Sequence, residues 1–374
     1  MLAHTLCVTI SPMIDEIKKR IDESLAEFLE ITKVEYKLHL VNPILFESIK
    51  EFCLRDGKRI RPLLLILSYI GYTPQKKKIS RAIYHASTCI ELLHNFMLIH
   101  DDIIDRSDLR RGKPTLHKLL SKAVKTDNPE KLGSDLSIIA GDIVYAFAID
   151  AFLSIAEPSA RKERALKYFI QTAAFTAMGE FIDTLHGFEP LANVSEKDVY
   201  LNYTLKTARY TFDCPLVTGA ILAGADDKEI KKLSDFGIMI GQAFQIQDDI
   251  IGIFDSEKNI GKSVLSDLDE SKKTLLVCHA YRVLSPKNRK EFLRCFTKTK
   301  KNYQDLLTIR KIFVDSGSLL YSLQAIQSRL AKSLKILHGL KMKEDYRKLI
   351  GASLSKLFTH SQSMADQNKI NIQL

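Results

Sequence analysis

One stretch without glycine or proline, Ala82 to Arg111, limits most what this chain can fold into. Apolar residues recur along it, so it predicts a buried helix. Three carboxylates, Asp101, Asp102 and Asp105, lie near its end among Leu, Ile, Phe and Met. On a helix Asp101 and Asp105 are one turn apart, about 5.4 Å along the axis, and share a face. A compensating cation is required there, because neighbouring carboxylates repel each other and are costly to bury.

Mg²⁺ is the cation that these carboxylates predict. It binds carboxylate oxygens, keeps several waters and is usually completed by substrate phosphates. Arg110 and Arg111 follow at once and are suited to hold the remaining phosphate oxygens by bidentate contacts. The alternative is a solvated acidic helix end before a basic turn. It would explain charges at a surface but not charges set among apolar side chains.

A second stretch, Gly241 to Thr274, repeats the pattern of an aspartate pair on an apolar helix followed by basic residues. Gln245, Asp248 and Asp249 fall at positions i, i+3 and i+4 and therefore share one helical face. The chain thus carries two candidate metal and phosphate motifs.

These motifs resemble those of the trans-isoprenyl diphosphate synthases, where DDxxD precedes RRGxPxxH, and DDxxG precedes GK and DLxEGKxT. Here they read DDIID with RRGKPTLH, and DDIIG with GKS and DLDESKKT, in the same order between Gly57 and Thr274. One departure is Ser271, where the family usually has glycine, although a lysine still follows. The resemblance implies an all-α fold: a large single-domain helical bundle of the isoprenoid synthase type with a central cavity, usually paired as a homodimer.

The resemblance also implies a reaction. Members of this family join isopentenyl diphosphate head to tail to an allylic diphosphate (dimethylallyl, geranyl or farnesyl) and release diphosphate. Asp101, Asp105 and Asp248 are then expected to hold several Mg²⁺ ions, while Asp102 and Asp249 orient ligands and basic partners. Ionisation would leave an allylic cation in a dry apolar pocket, where the isopentenyl double bond attacks it. The released diphosphate is the expected base, so no side-chain nucleophile is needed.

Further basic residues precede the first motif, in Gly57-Lys58-Arg59-Ile60-Arg61-Pro62. Cations at a helix start oppose the macrodipole, whereas a bound anion there would be favoured. In the family the residues matching Lys58, Arg61 and His94 bind isopentenyl diphosphate, and Arg111 is expected to join them. A core histidine would be the ordinary interpretation of His94 alone. The ligands expected on the allylic diphosphate are Arg110, Lys206, Lys262 and Lys272.

The pair Lys206-Thr207 would be ordinary helix surface if it stood alone. It matches the KT motif of the family, between the two Asp-rich helices. The match implies that Lys206 touches the allylic diphosphate and that Thr207, with Gln245, faces the carbocation. Lys273, beside Lys272, is expected to be solvated.

Product length is predicted from Phe96 and Met97, five and four residues before Asp101. One helical turn is close to the length of an isoprene unit, so a bulky residue there can form the floor of the tail pocket. Both residues are also typical of a helix core. In the family an aromatic residue at the fifth position marks short-chain enzymes, and aromatics at both positions mark farnesyl producers. We therefore predict geranylgeranyl diphosphate as the product, with farnesyl diphosphate as the alternative.

The remaining sequence predicts helices throughout. Hydrophobic residues make up 45% of the 374 residues, enough for a large core. We find no internal repeat and no linker, so we predict one domain over residues 1–374, with the motifs in about 57–274 and a helical extension in about 285–374. Nothing alternates as a strand should. The further predicted helices cover about 13–32 (starting at Ser11-Pro12), 61–72, 79–106, 134–155, 159–186, 195–225, 227–254 and 272–284.

The net charge of +10 is concentrated partly between Ser285 and Lys301. A nucleic-acid patch would need interleaved aromatics to stack on bases, and this run lacks them. A solvated helical face is the favoured interpretation. Weak attraction to an anionic membrane surface stays open. We therefore expect no nucleic-acid partner and at most weak peripheral membrane contact.

Cellular location is predicted from cysteine spacing and from apolar runs. The six cysteines show no CxxC spacing, so a reducing cytoplasm is expected rather than a zinc site or a disulfide framework. The first residues contain a short apolar run without a basic segment before it, which is a poor signal peptide. The longest candidate span, Leu136 to Ala156, is interrupted by Asp142 and Asp150, so no membrane helix is expected.

Two other classes of protein fit part of this pattern. A terpene cyclase or head-to-head synthase of the same fold also uses Asp-rich motifs, but it would not need a second diphosphate site containing Lys58 and Arg61. A non-catalytic partner subunit of a synthase would be expected to lose some acidic or basic motifs, and here all are present.

Overall fold

The computed structural model describes residues 2–74, 81–123, 125–255, 268 and 271–359. Most of them lie in helices, which confirms the predicted all-α class. The chain divides into two compact units. The first contains residues up to Lys167 together with Thr218–Ala225, and the second contains Tyr168–Val217 together with residues from Asp226 onward. The single domain over residues 1–374 stays a prediction.

The first unit is built around α5 (Arg81–Ile104). This helix packs against α1 (Leu2–Glu35), α4 (Ile60–Tyr72) and α7 (Pro129–Leu153). Its side chains Leu92, Leu93 and Ile99 are almost fully buried, as the apolar pattern before the aspartates requires. The elements of this unit are α1 (Leu2–Glu35), α2 (Leu38–Val41), α3 (Pro43–Cys53), α4 (Ile60–Tyr72), α5 (Arg81–Ile104), β1 (Leu109–Arg110), β2 (Lys113–Pro114), α6 (Leu116–Ala123), α7 (Pro129–Leu153) and the start of α8 (Ser159–Phe188).

The second unit is built around α11 (Asp227–Phe254), the longest helix that lies wholly within it. This helix packs against a π-helix (Tyr203–Asp213) and against α15 (Ser318–His338). It also contains most of α8. After α8 come a 3₁₀ turn (Leu191–Asn193), α9 (Glu196–Asn202), the π-helix (Tyr203–Asp213), α10 (Cys214–Ala223, of which the part from Thr218 onward belongs to the first unit), α11 (Asp227–Phe254), α12 (Leu275–Val283), α13 (Pro286–Phe296), α14 (Tyr303–Asp315), α15 (Ser318–His338) and α16 (Glu344–Ser355).

Helix ends that carry a capping residue or a proline agree best with the bounds predicted from the sequence. Helix α11 has the predicted bounds, because the Asp226 side chain accepts a hydrogen bond from the amide of Glu229 at its start. Helix α4 ends at Tyr72 as predicted, and its C-cap Thr73 stands directly before a proline. Helix α7, however, starts at Pro129 instead of Ser134, because Asn128 caps it and proline suits the first helical position.

Three further predictions were wrong. Helix α1 does not begin at Ser11-Pro12 but runs through Pro12, since proline disfavours a continuing helix without forbidding it. The predicted helix 195–225 is three segments with the π-helix in the middle. A small antiparallel hairpin also forms, in which Arg110 pairs with Lys113. It turns the chain directly after the first aspartate motif.

One described helix is long and apolar enough to cross a membrane by composition, which the sequence analysis did not expect. It is α7, with a mean hydropathy of 1.8 over its best window, of which 44% is buried inside the protein. A helix in the core of a soluble protein passes the same test, so this finding is weak support for a span.

Candidate active site

The first acidic motif lies on the last turn of α5. Carboxylate oxygens of Asp101 and Asp105 lie within 4.8 Å of each other, and both side chains are half-buried. Asp102 is only 1% exposed. Burial, reinforced by the charges of Asp101 and Asp105, raises the pKa of Asp102 to about 6 although Arg110 opposes this shift. The Asp101–Asp105 pair therefore has the spacing to share a cation, and Asp102 is enclosed by protein.

Arg110 in the hairpin binds this motif directly. Its Nε donates to Asp102 Oδ1 at 2.7 Å, and one terminal nitrogen donates to Asp101 Oδ2 at 3.0 Å and to Asp102. Although burial opposes it, the charges of Asp102 and Asp101 raise the pKa of Arg110. Arg110 was expected on a phosphate, and its bonds to Asp102 agree with the expectation that Asp102 orients a basic partner. The guanidinium partly neutralises the carboxylates and orients Asp101.

A second, cationic cluster surrounds His94, seven residues and thus about 10 Å of helix before Asp101. His94 is 8% exposed, Arg61 is half-buried and Arg111 is exposed, and the exposed Lys58 lies three residues before Arg61 in the loop that precedes α4. Burial, and then the charges of Arg61 and Arg111, hold the pKa of His94 well below its usual range. The imidazole is therefore neutral at pH 7, in a positive field that favours an anion.

The loop before α4 is held in place by Arg59, which the sequence analysis did not assign. Arg59 has a left-handed backbone (φ 48°), and its buried guanidinium pairs with Glu91 at 2.5 Å and with Asp22 at 2.7 Å. Arg111 lies against Gly57 and donates to the carbonyl oxygen of Arg55 at 3.1 Å. The Arg59 side chain is bonded to Glu91 inside the protein, whereas its neighbour Lys58 is exposed in the same loop.

In the second unit Lys206 lies in the π-helix and pairs with two carboxylates of α8. Its Nζ is 2.7 Å from Asp183 and 2.8 Å from Glu180. Although burial opposes it, the charges of Lys206 and Lys272 hold the pKa of Asp183 below its ordinary value. The sequence analysis named both lysines but neither carboxylate, because α8 carries no recognisable motif.

The π-helix packs closely against two neighbouring helices. A Cβ on Gly179 of α8 would lie 2.4 Å from the backbone nitrogen of Lys206, and a Cβ on Gly241 of α11 would lie 2.3 Å from Cα of Ala208. The π-helix thus fits between two glycines that let neighbouring backbones approach it. The sequence did not predict it, because the two glycines lie on other helices, distant in the chain from the segment they accommodate.

A hydrogen-bonded chain joins the π-helix to the second acidic motif. Thr207 donates to Gln245 Oε1 at 2.5 Å, and Gln245 Nε2 donates to Asp249 Oδ1 at 2.9 Å. Buried Tyr203 donates to the other oxygen of Asp249. Asp248 is exposed. Asp249 is thus held by protein donors.

The lysines after the second motif lie partly within the described chain. Lys272 and Lys273 are half-buried, whereas Lys262 lies outside the described residues. The expectation that Lys273 is solvated was wrong: it donates to the carbonyl oxygen of Gly187 at 3.0 Å, and burial lowers its pKa. A small cavity, about 60 Å³ in volume, is lined by Asp183, Asn202, Tyr203, Lys206, Thr207, Gln245, Asp249, Lys272, Lys273 and Thr274.

The helix carrying the second motif is capped by a residue that the sequence did not reveal. Arg310 of α14 donates to the carbonyl oxygen of Ile253 at 2.6 Å and to that of Asp255 at 3.0 Å. A guanidinium at a helix C-terminus satisfies its last carbonyls and favours the helix dipole. Part of the C-terminal extension thus holds α11 at the end next to the motif.

The predicted floor residues are side by side on α5, and both are half-buried. The Phe96 ring lies 4.7 Å from the His100 ring and 4.9 Å from the Tyr145 ring of α7, centroid to centroid. Tyr145 is therefore a further candidate for the wall around Phe96. Met97 differs from Phe96 in having a flexible, unbranched side chain that can adapt to a neighbouring ligand.

The comparisons with known proteins agree with this geometry. A family model for polyprenyl synthetase matches residues 42–313. Geranylgeranyl diphosphate synthase of Sulfolobus acidocaldarius is 31% identical, covering 81% of this chain and 86% of the relative. Geranylfarnesyl diphosphate synthase of Aeropyrum pernix is 33% identical with the same coverage. A crystal structure of geranylgeranyl pyrophosphate synthase from Corynebacterium glutamicum, complexed with isoprenyl diphosphate and magnesium, superimposes with a TM-score of 0.84 at 26% identity, covering 92% of this chain and 98% of the other.

Proposed function

This chain belongs to the polyprenyl synthetase family and is a prenyltransferase, and we propose that it joins isopentenyl diphosphate to an allylic diphosphate to make geranylgeranyl diphosphate. The observation that carries this proposal is the pair of sites on α5. A cationic cluster around His94 is followed, about two to three turns later, by the Asp101–Asp105 pair. Two diphosphates need two such sites, one purely cationic and one suited to a metal.

The cationic cluster is proposed to bind isopentenyl diphosphate. Lys58, Arg61 and Arg111 supply positive charge, and the neutral imidazole of His94 can donate one hydrogen bond. Burial is the main cause of the lowered pKa of His94, and the charges of Arg61 and Arg111, which lower it further, supply the positive field that a diphosphate would neutralise. These residues bind and orient the substrate whose double bond is the nucleophile.

The acidic motifs are proposed to hold Mg²⁺ on the allylic diphosphate. Asp101 and Asp105 fit such an ion, because their oxygens lie within 4.8 Å of each other and both side chains are half-buried. The third ligand implied by the resemblance to the family is Asp248, which is exposed. Bound Mg²⁺ neutralises charge on a leaving diphosphate. Asp102 and Asp249 hold Arg110 and Gln245 in place, and Lys206, Lys262 and Lys272 add positive charge for the phosphate oxygens.

The allylic cation is proposed to form beside the Thr207–Gln245 pair. Their side-chain oxygens carry partial negative charge, and Gln245 is fixed because it donates to Asp249 at 2.9 Å. Fixed dipoles stabilise developing positive charge without reorganising during the reaction. The proton lost from the condensed cation is assigned to the released diphosphate.

Product length tests the assignment of Phe96 and Met97. Replacing either residue by alanine is expected to lengthen the main product by about one isoprene unit, because the lost side chain frees room at the pocket floor, and the next turn of the helix lies about 5.4 Å further along, close to the length of one unit. The measurement is chromatography of the dephosphorylated products made from labelled isopentenyl diphosphate. Leu334→Ala, at an exposed position of α15 away from both motifs, is the control. An unchanged product in both single variants and in the double variant would remove Phe96 and Met97 from the pocket floor.

The division of the basic residues is tested by the Michaelis constants of the two substrates. Lys58→Ala is expected to raise KM for isopentenyl diphosphate about tenfold, and Lys272→Ala to raise KM for the allylic primer, because a hydrogen bond to a charged group contributes about 1.5–3 kcal/mol. Each variant should leave the other constant nearly unchanged. Lys113→Ala, an exposed lysine near Glu51, is the control. Equal effects on both substrates would show that the assignment is wrong.

We further propose that the protein is a homodimer. Helix α8 exposes Met178, Phe181, Leu185 and Phe188, at 53, 71, 48 and 88% of their surfaces, on one helical face. An apolar stripe of this kind marks an interaction surface, and a second copy of this chain is the proposed partner. Sedimentation should show a dimer for the native chain and a monomer for a Phe181→Lys, Phe188→Lys variant. A native monomer would contradict this.

The other candidate functions have less support. A terpene cyclase does not need the cationic cluster at Lys58 and Arg61, and a non-catalytic subunit does not need intact carboxylates at Asp101 and Asp248. We propose the cytoplasm as the location, because the described cysteines, Cys53, Cys89, Cys214, Cys278 and Cys295, are free and buried.

A further inference from the structure

Members of the family usually have glycine at the position of Ser271. The backbone of Ser271 is left-handed (φ 52°). This conformation suits glycine, whereas another L-residue adopts it at a cost of about 1–2 kcal/mol. A serine that persists in such a turn is expected to make bonds that glycine cannot make.

The Ser271 hydroxyl makes two such bonds. Its Oγ donates to the carbonyl oxygen of Phe296 at 3.1 Å and accepts from Lys301 Nζ at 3.0 Å. Lys301 is only 4% exposed, and it also donates to the carbonyl oxygen of Lys298 at 3.0 Å. Its ammonium lies 5.8 Å from the centroid of the Phe296 ring. We call the contacts among Ser271, Phe296 and Lys301 the Ser271 bridge.

The bridge is adjacent to the lysines of the candidate active site. Lys272 follows Ser271 directly and lines the cavity that contains Lys206 and Asp183. Lys273 is fixed on the other side, because it donates to the carbonyl oxygen of Gly187 and lies 5.7 Å from the centroid of the Phe296 ring. Lys272 therefore lies between two residues, Ser271 and Lys273, whose side chains are held by hydrogen bonds.

Lys301 comes from the C-terminal extension, thirty residues after Ser271. Burying an ammonium is costly unless it is hydrogen-bonded, so the bonds to Ser271 and Lys298 fix where it lies. In relatives with glycine at this position the turn has no side chain for such a bond. The contact therefore distinguishes this chain from the usual family pattern.

We infer that Ser271 and Lys301 are positioning residues that hold Lys272 in place to bind the allylic diphosphate. The inference rests on the proposed function, since it concerns the same site. Neither residue touches the substrate. They fix the backbone from which Lys272 reaches it, and they couple the C-terminal extension to substrate affinity.

Two variants remove the bridge from opposite ends. Ser271→Gly keeps the left-handed turn without strain, and Lys301→Met removes the ammonium while keeping an unbranched side chain. Calorimetric titration of the full-length protein with farnesyl diphosphate and Mg²⁺ should give a Kd raised about tenfold in each variant, a loss of about 1.4 kcal/mol. The Kd for isopentenyl diphosphate should change less than about twofold. The double variant should match the single ones, because both disrupt one contact.

Stability separates positioning from simple support of the fold. Ser271→Gly relieves backbone strain, so its melting temperature should stay close to that of the native chain while the affinity falls. Lys300→Met, which changes the exposed neighbour of Lys301, is the matched control and should alter neither affinity. The inference is overturned if both variants bind farnesyl diphosphate with native affinity, or if both substrates weaken equally. A native protein that binds both diphosphates without joining them would contradict the proposed function. The measured Kd values of the variants would still test whether the Ser271 bridge positions Lys272.

Discussion

Asp101→Asn and Asp248→Asn are each expected to lower kcat at least about 100-fold, the scale found when one group that stabilises transition-state charge is removed. Asparagine keeps the shape of aspartate but loses the charge that holds Mg²⁺. Chelation of the metal should have the same effect, because arginine and lysine alone would not neutralise the leaving diphosphate. Steady-state kinetics with labelled isopentenyl diphosphate measures the loss, and circular dichroism should show an unchanged helix content.

The control for this prediction is Asp135→Asn on α7. Asp135 forms an exposed ion pair with Lys131, and such pairs contribute little to stability, so its loss should leave kcat unchanged. Near-native activity of Asp101→Asn, or activity that persists in excess chelator, would contradict the metal assignment.

Gly241→Ala is expected to destabilise the protein by about 1–3 kcal/mol and to lower kcat at least about tenfold. Its added Cβ would lie 2.3 Å from Cα of Ala208, and backbone atoms at that distance must move apart. The π-helix would then shift relative to α11 and take Lys206 and Thr207 with it. Denaturant unfolding measures the first effect and initial rates measure the second.

A second glycine offers a matched control for the packing effect. Gly351→Ala on α16 would place its Cβ 3.5 Å from a methyl carbon of Leu337, an ordinary contact. Alanine there should be neutral or stabilising, because it lowers the entropy of the unfolded chain. If Gly241→Ala were as stable and as active as Gly351→Ala, close approach of the π-helix to α11 would not be what positions the site.

The helices and the identity of the motifs could be predicted because they depend on local spacing. Apolar periodicity places Asp101 and Asp105 on one helix, and the carboxylate of Asp226 marks the start of α11. The family motifs also indicate which lysines and arginines to consider. These signals lie within one turn or one motif, so they can be read without knowing the tertiary structure.

Features that depend on contacts between distant segments could not be predicted in this way. The π turn at Lys206 needs a glycine on each of two other helices, and the cap on α11 comes from Arg310, more than fifty residues after Ile253. The pairing of Lys206 with Asp183 joins positions twenty-three residues apart. Sequence spacing carries no information about such partners, whereas the structure assigns them directly.

The chain is expected to transfer the prenyl group of an allylic diphosphate to isopentenyl diphosphate and to release the diphosphate of the allylic substrate. The most direct measurement incubates purified protein with labelled isopentenyl diphosphate, Mg²⁺ and, in turn, dimethylallyl, geranyl and farnesyl diphosphate, and then separates the dephosphorylated products by chain length. The label is expected in geranylgeraniol as the main product, with one diphosphate released for each unit joined. The absence of labelled prenyl product with all three primers would contradict it.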